Sequence, residues 1–212
     1  MSEKKLFLYE PTTAITDYII FILGIIFGGL TISIQNSQFH QLWGASFISI
    51  GIGAFFGGTS HGFGPKMKGI YRKVLWRITI IFIGISGIFM AMSSSLFFIT
   101  ENGKYALFIT AGVLLILYFL KIRKQDSFRS AVTFYMPLLG VTLVGFSMAF
   151  YFQNITGALF ITIGLIVCIT GSLTQLLKIS LHEKFNHNDL FHVIQMLGMY
   201  LMYRGGMEIT PF

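Results

Sequence analysis

The sequence predicts an all-α integral membrane protein: one seven-helix transmembrane domain over residues 1–212, with its N-terminus in the cytoplasm and its C-terminus outside. Three observations predict it. Of 212 residues, 54% are hydrophobic and only 11% charged, and the mean hydropathy is +0.75, far from the balance of a soluble domain. The apolar residues gather into seven runs separated by short polar segments. When those segments are assigned alternately to two sides, the basic residues fall almost entirely on one. That side receives Lys4, Lys5, Lys66, Lys68, Arg72, Lys73, Arg77, Lys121, Arg123, Lys124, Arg129, Lys178 and Lys184, and the other only Lys104 and Arg204. Such a bias in short loops is the positive-inside signal.

The first run, Ala14 to Ile34, follows a polar leader with Glu10 and Pro11 and lacks a small-residue cleavage site. It reads as a retained span rather than a signal peptide, with Pro11 and Thr12 or Thr13 starting the helix. The second, Leu42 to Thr59, is glycine-rich, and Gly62 and Gly64 are expected to stop it. The third runs from Val74 to Phe98. The fourth, Tyr105 to Leu120, and the seventh, Leu190 to Tyr203, are short against the ~17 to 25 residues needed to cross hydrocarbon. Both depend on Lys104, Lys121 and Arg204 snorkelling outward. The fifth, Ala131 to Phe152, contains Pro137, expected to kink it. The sixth, Ile155 to Leu177, carries Cys168, the single cysteine, so no disulfide can form within the chain. Glycines recur at short spacing in "GIIFGG", "GIGAFFGG" and "GISG", where small residues let helix backbones approach in lipid.

Ionisable residues inside such segments are costly unless paired or hydrated, and therefore informative. They are Asp17, His61, Arg77, Asp189 and His192. Asp17 enters the first helix, His61 ends the second, and Asp189 and His192 open the seventh, so all converge on the cytoplasmic half. Asp189 and His192, three apart, share a helix face that continues through Gln195, Met196, Met199 and Tyr203 and is expected to face the bundle interior. Asn186 or Asn188 can cap that helix. A neutral imidazole beside a carboxylate suits a divalent metal ion. His187, five residues before His192, lies off that face in a regular helix but can fold back from the first turn. Asp17 could alternatively anchor Arg77. His40 and His182 read as plain interfacial histidines.

Seven helices with the N-terminus inside, a Ser and His ending helix 2 ("TSHG", residues 59–62) and histidines opening helix 7 ("HNDLFH", residues 187–192) resemble the superfamily that holds alkaline ceramidases and the progestin and adiponectin receptors. The resemblance implies a buried zinc ion held by one helix 2 histidine, His61, and two helix 7 histidines, His192 and His187. It implies that Ser60 takes the place of the helix 2 serine that supports the transition state, and that a zinc-bound water attacks a lipid amide. The spacings differ from the family's S-x-x-x-H and H-x-x-x-H, and Arg77 stands where helix 3 carries an acid. Asp189 is therefore an alternative third ligand to His187, with Asp17 supplying the carboxylate.

The functional expectation is a membrane-embedded, zinc-dependent hydrolase of a lipid amide or ester, with Ser60, Asp17 and Asp189 as the catalytic set and His61, His187 and His192 on the metal. Its substrate would be a membrane lipid entering from the inner leaflet. Alternatives are a proton-coupled transporter or channel using the aspartates and histidines as a relay, and a non-catalytic, lipid-sensing bundle. The net charge of +7 is explained by topology and anionic headgroups and gives no reason to invoke nucleic acid. A loop-poor chain rich in isoleucine and phenylalanine points to a bacterial inner membrane.

Overall fold

The computed structural model describes residues 8–182 and 185–210; Lys4, Lys5 and Lys184, counted above in the charge bias, lie outside them. Among the described residues the chain forms seven α-helices: α1 (Pro11–Ile32), α2 (Gln38–Phe63), α3 (Gly69–Ser95), α4 (Glu101–Lys124), α5 (Phe128–Gln153), α6 (Thr156–Leu176) and α7 (His187–Met207), with a 3-10 turn at Gly64–Lys66. Six of them, α1 to α6, are long and apolar enough to cross a membrane, which marks a multi-pass membrane protein. The seventh is 21 residues long, enough to span roughly 30 Å. Its polar first turns set its composition apart from the rest.

All seven runs become helices, and the two short ones gain length from polar residues. α4 takes in Glu101 and Lys104 at its start and Lys121, Arg123 and Lys124 at its end, an acid-first, base-last order that suits the helix dipole. α7 begins at His187 because Asn186 caps it. Pro11 sits at the start of α1, where its missing N–H costs nothing. Gly62 and Gly64 do not stop α2 through a left-handed turn: no glycine among the described residues has positive φ, and α2 runs on through Phe63 into the 3-10 turn. Pro137 lies inside an unbroken α5.

α2 packs between α1 and α3, α7 between α1 and α6, and α5 between α3 and α6. These six close a ring, and α4 lies outside it against α3 and α5, where the Tyr118 hydroxyl donates to the Ile80 carbonyl. Backbones touch at glycine pairs. A Cβ on Gly28 would stand 2.7 Å from the Gly44 carbonyl, and one on Gly164 2.7 Å from the Gly198 carbonyl. In lipid no hydrophobic force drives helices together, so dispersion at such close approach does. Trp43, Phe39, Phe47 and Phe146, all fully buried, fill the centre of the half remote from the basic loops. The half near those loops also buries polar groups: Thr13, Thr16, Asp17, Asp189 and His192.

Candidate functional site

Strand-free up-and-down connection brings the start of α1, the end of α2 and the start of α7 to one end of the bundle. The local sequence then fixes the polar groups. Asn186 accepts from the backbone N–H of Asn188 at 2.8 Å and of Asp189 at 3.3 Å, and Asp189 Oδ2 accepts from the Asn186 N–H at 2.8 Å. This is a capping box, which satisfies helix-start donors reciprocally. It also aims the other Asp189 oxygen inward, where Oδ1 accepts from Thr13 Oγ1 at 2.7 Å. Asn186 Nδ2 donates to the same threonine hydroxyl at 3.4 Å. One turn further along α7, His192 faces α1.

His192 lies between two α1 groups. Its Nδ1 is 2.8 Å from Thr16 Oγ1, and its Nε2 is 3.5 Å from Asp17 Oδ1. The Thr16 hydroxyl donates to the Thr13 carbonyl at 3.0 Å. With that proton spoken for, the hydroxyl accepts from His192 Nδ1–H, and the Nε2 lone pair turns to Asp17. At 3.5 Å these two atoms are an ion-pair distance apart rather than hydrogen-bonded, and one further proton serves the pair. It can reside on the carboxyl as a neutral pair or on the imidazole as an ion pair. Asp17, Asp189 and His192 are 6%, 1% and 7% exposed, so water does little to screen either state. α2 closes the site with glycines: a Cβ on Gly57 would meet Asp17 Oδ2 at 3.5 Å, and one on Gly58 would stand 2.9 Å from the Asp17 Cβ.

The remaining expected residues form a second, more open group. His61 Nδ1 is 2.6 Å from Glu10 Oε2, with both side chains about one-third exposed. They border a cavity of about 590 Å³ with Ser60, Arg72, Lys73 and Trp76. Arg77 does not reach Asp17; its Nε donates to Asp126 Oδ2 at 2.8 Å. His187, the first residue of α7, is half-buried. Thus Asp17, Asp189 and His192 come together, while Ser60 and His61 sit in the neighbouring cavity. Among the described residues no three His, Cys, Asp or Glu side chains are gathered closely enough to hold a metal ion. His61, His187 and His192 therefore do not present the three converging donors that zinc takes.

Four participants escaped sequence reasoning. Thr13 and Thr16 look like ordinary helix-start threonines, and Glu10 like leader polarity. Their spacing of three in "TAIT" is the one signal that both hydroxyls share a face. His40 is not a plain interfacial residue: it is fully buried, with Nδ1 2.6 Å from Ser37 Oγ and Nε2 donating to the Gly206 carbonyl at 3.1 Å. It locks α2 to α7 at the end opposite the site.

Fold and site together define a polytopic helical membrane protein with a buried carboxyl–imidazole–hydroxyl chain near one end. The chain belongs to the Family of unknown function (DUF6962), whose model matches residues 12–211, taking in Thr13, Thr16, Asp17, Asp189 and His192. No curated protein and no solved structure matches it significantly.

Proposed function

We propose that the protein moves protons across a membrane, alone or with a solute, and that Asp17 and His192 form the group that takes up and releases the proton. The observation that carries this reading is the Thr16–His192–Asp17 chain. An intramembrane acid facing an imidazole, with the far ring nitrogen already satisfied, holds one exchangeable proton between two sites of capture. An aspartate within a span costs on the order of 2.5–3.5 kcal/mol at the helix centre, and Asp17 sits roughly 10 Å along α1, where packing alone would favour an apolar residue. Beyond it, buried polar groups continue towards the opposite end. Thr79, Ser86 and Ser93, each seven residues from the next on α3, are all buried, as are Ser49 and Ser46 on α2 and then His40. Residues seven apart share a helix face. In this reading the basic end, with the site, faces the cytoplasm, as the charge bias expects, and the membrane is a bacterial inner membrane.

Proton entry into liposomes tests it, with the purified protein reconstituted around a pH-sensitive dye and a potassium diffusion potential as driving force. Wild type is expected to acidify the interior faster than empty liposomes, and Asp17→Asn and His192→Gln to lose that excess. Wild-type rates equal to those of empty liposomes overturn the proposal.

A second reading, lipid hydrolysis, is favoured by the Glu10–His61 pair. A carboxylate on Nδ1 orients an imidazole so that Nε2 can act as general base, and Ser60 shares the cavity. The described donors do not fit a zinc ion, so no step is assigned to one. Incubation with mixed membrane lipids separates the readings: release of fatty acid that is lost in His61→Gln but kept in Asp17→Asn supports hydrolysis.

A further inference from the structure

The cavity beside the buried site has a charge pattern of its own. Its two acids are already matched. Glu10 is bonded to His61 at 2.6 Å, and Asp126 accepts from Arg77 at 2.8 Å with Lys73 Nζ at 3.7 Å. Arg72 also lines the cavity but makes no ion pair among the described residues. Arg72 is exposed, but its side chain lies back over the turn at Gly64. The point where a Cβ on Gly64 would stand is 3.6 Å from Arg72 Nε, 3.6 Å from Arg72 Cγ and 3.6 Å from Ser60 Oγ. Arg72 and Ser60 therefore both touch the methyl-sized space left where residue 64 has no side chain, and both line the adjoining cavity. Twice 3.6 Å puts Arg72 Nε and Ser60 Oγ no more than about 7 Å apart, close enough for one tetrahedral oxyanion in the cavity to bond to both.

We infer that the cavity beside Gly64 binds a phosphate group, with Arg72 as its charged donor and Ser60 as its hydroxyl donor. Arginine suits this task because its planar fork matches phosphate oxygens. Lys66 and Lys68, in the adjoining turn, add a positive field that draws anions to the mouth. The phosphate belongs either to a lipid headgroup or to a soluble ion, and both present the same oxygens. The inference rests on the carrier reading for its purpose, since it gives that carrier a ligand class, but binding is read without any flux. Either can fail without the other.

Trp76 lines the same cavity, and its indole N–H donates to the Asp126 carbonyl at 2.8 Å. Its emission reports on the site. The full chain in an uncharged maltoside detergent is titrated with inorganic phosphate and, separately, with dihexanoyl phosphatidic acid, with Trp76→Phe as the signal control. A saturable change is expected in wild type, with affinity lowered about tenfold or more in Arg72→Gln, the loss typical of one charge-assisted hydrogen bond. Gly64→Ala is a second variant. Residue 64 has φ −49° and ψ −45°, and the new methyl would meet Arg72 and Ser60 at ordinary contact distance, so the fold stays intact while both donors are crowded. It too should weaken binding. Saturation by phosphate alone supports a soluble anion, and saturation only by the phospholipid supports a headgroup. No saturable change with either probe, or an Arg72→Gln affinity equal to wild type, overturns the inference.

Discussion

Thr16 shows how much a single hydroxyl can decide. It stands between the Thr13 carbonyl and His192 Nδ1, so it sets the imidazole tautomer and, through it, which nitrogen faces Asp17. Thr16→Val keeps the shape and removes the acceptor. A buried donor left unmatched costs about 1–3 kcal/mol, so the variant should melt earlier than wild type, with Thr16→Ser restoring most of the loss. A melting temperature for Thr16→Val equal to wild type would mean that His192 finds another partner. The sequence made the α7 half of this site readable, because Asp189, His192 and the Asn186 cap are close neighbours whose faces follow from helical periodicity. The α1 half was hidden. Helical threonines usually bond to their own preceding turn, as Thr31 does to Phe27, so nothing marks Thr13 and Thr16 as reaching across to α7. The Glu10–His61 pair, 51 residues apart, is equally beyond any local pattern, and it engages Nδ1 of the histidine that the family resemblance assigns to a metal.

Helices in this protein are positioned by two devices, glycine contacts along their length and polar ties at their ends. At Gly164 a side chain would run into the Gly198 carbonyl and Met202, whereas Gly112 on α4 has nothing near its Cβ position. Gly164→Leu should therefore part α6 from α7 and destabilise the protein by the 1–3 kcal/mol or more typical of overpacking. Gly112→Leu should leave melting in detergent unchanged. Equal melting of the two variants would remove the case for glycine-mediated packing. The polar tie between α3 and the α4–α5 turn has a pH signature. The Arg77 hydrogen bond, helped by the Lys73 charge, holds the Asp126 carboxyl below its ordinary range. A depressed carboxyl stabilises the fold at pH values above its unfolded pKa of about 3.9, and that contribution fades as pH falls through the lower folded value. Arg77→Gln should be less stable than wild type at neutral pH, by a small amount since both groups are partly exposed. The difference should shrink in acid. A constant difference from neutral pH down to acid would mean that the arginine acts by packing and not by charge. Element boundaries were less legible than element number, since hydropathy sees only the apolar middle of a span, while caps and snorkelling side chains set its ends.

At the scale of the whole molecule, the helix α7 decides the topology. Six helices qualify as spans by composition, and an even number would return both termini to one side. α7 fails that measure because its first two turns carry Asp189 and His192, yet those groups are buried against α1, and Gly198 and Gly205 press it against α6. A helix that turns its polar face to its neighbours does not meet lipid with that face, so the burial that builds the site is also what would let α7 cross. Seven crossings would place the two ends of the bundle's chain on opposite sides. The single cysteine, Cys168, makes this measurable: in a Cys168→Ala background, cysteines are introduced at Lys124, the last residue of α4, and at Glu208, just past α7. With a membrane-impermeant maleimide on intact cells, the residue 208 cysteine should label from outside, and the residue 124 cysteine only after the membrane is opened. If both label from the same side, α7 does not span. The Asp17–His192 pair would then lie at the rim of a six-span bundle, in reach of bulk water, where a shared proton has no path to guard.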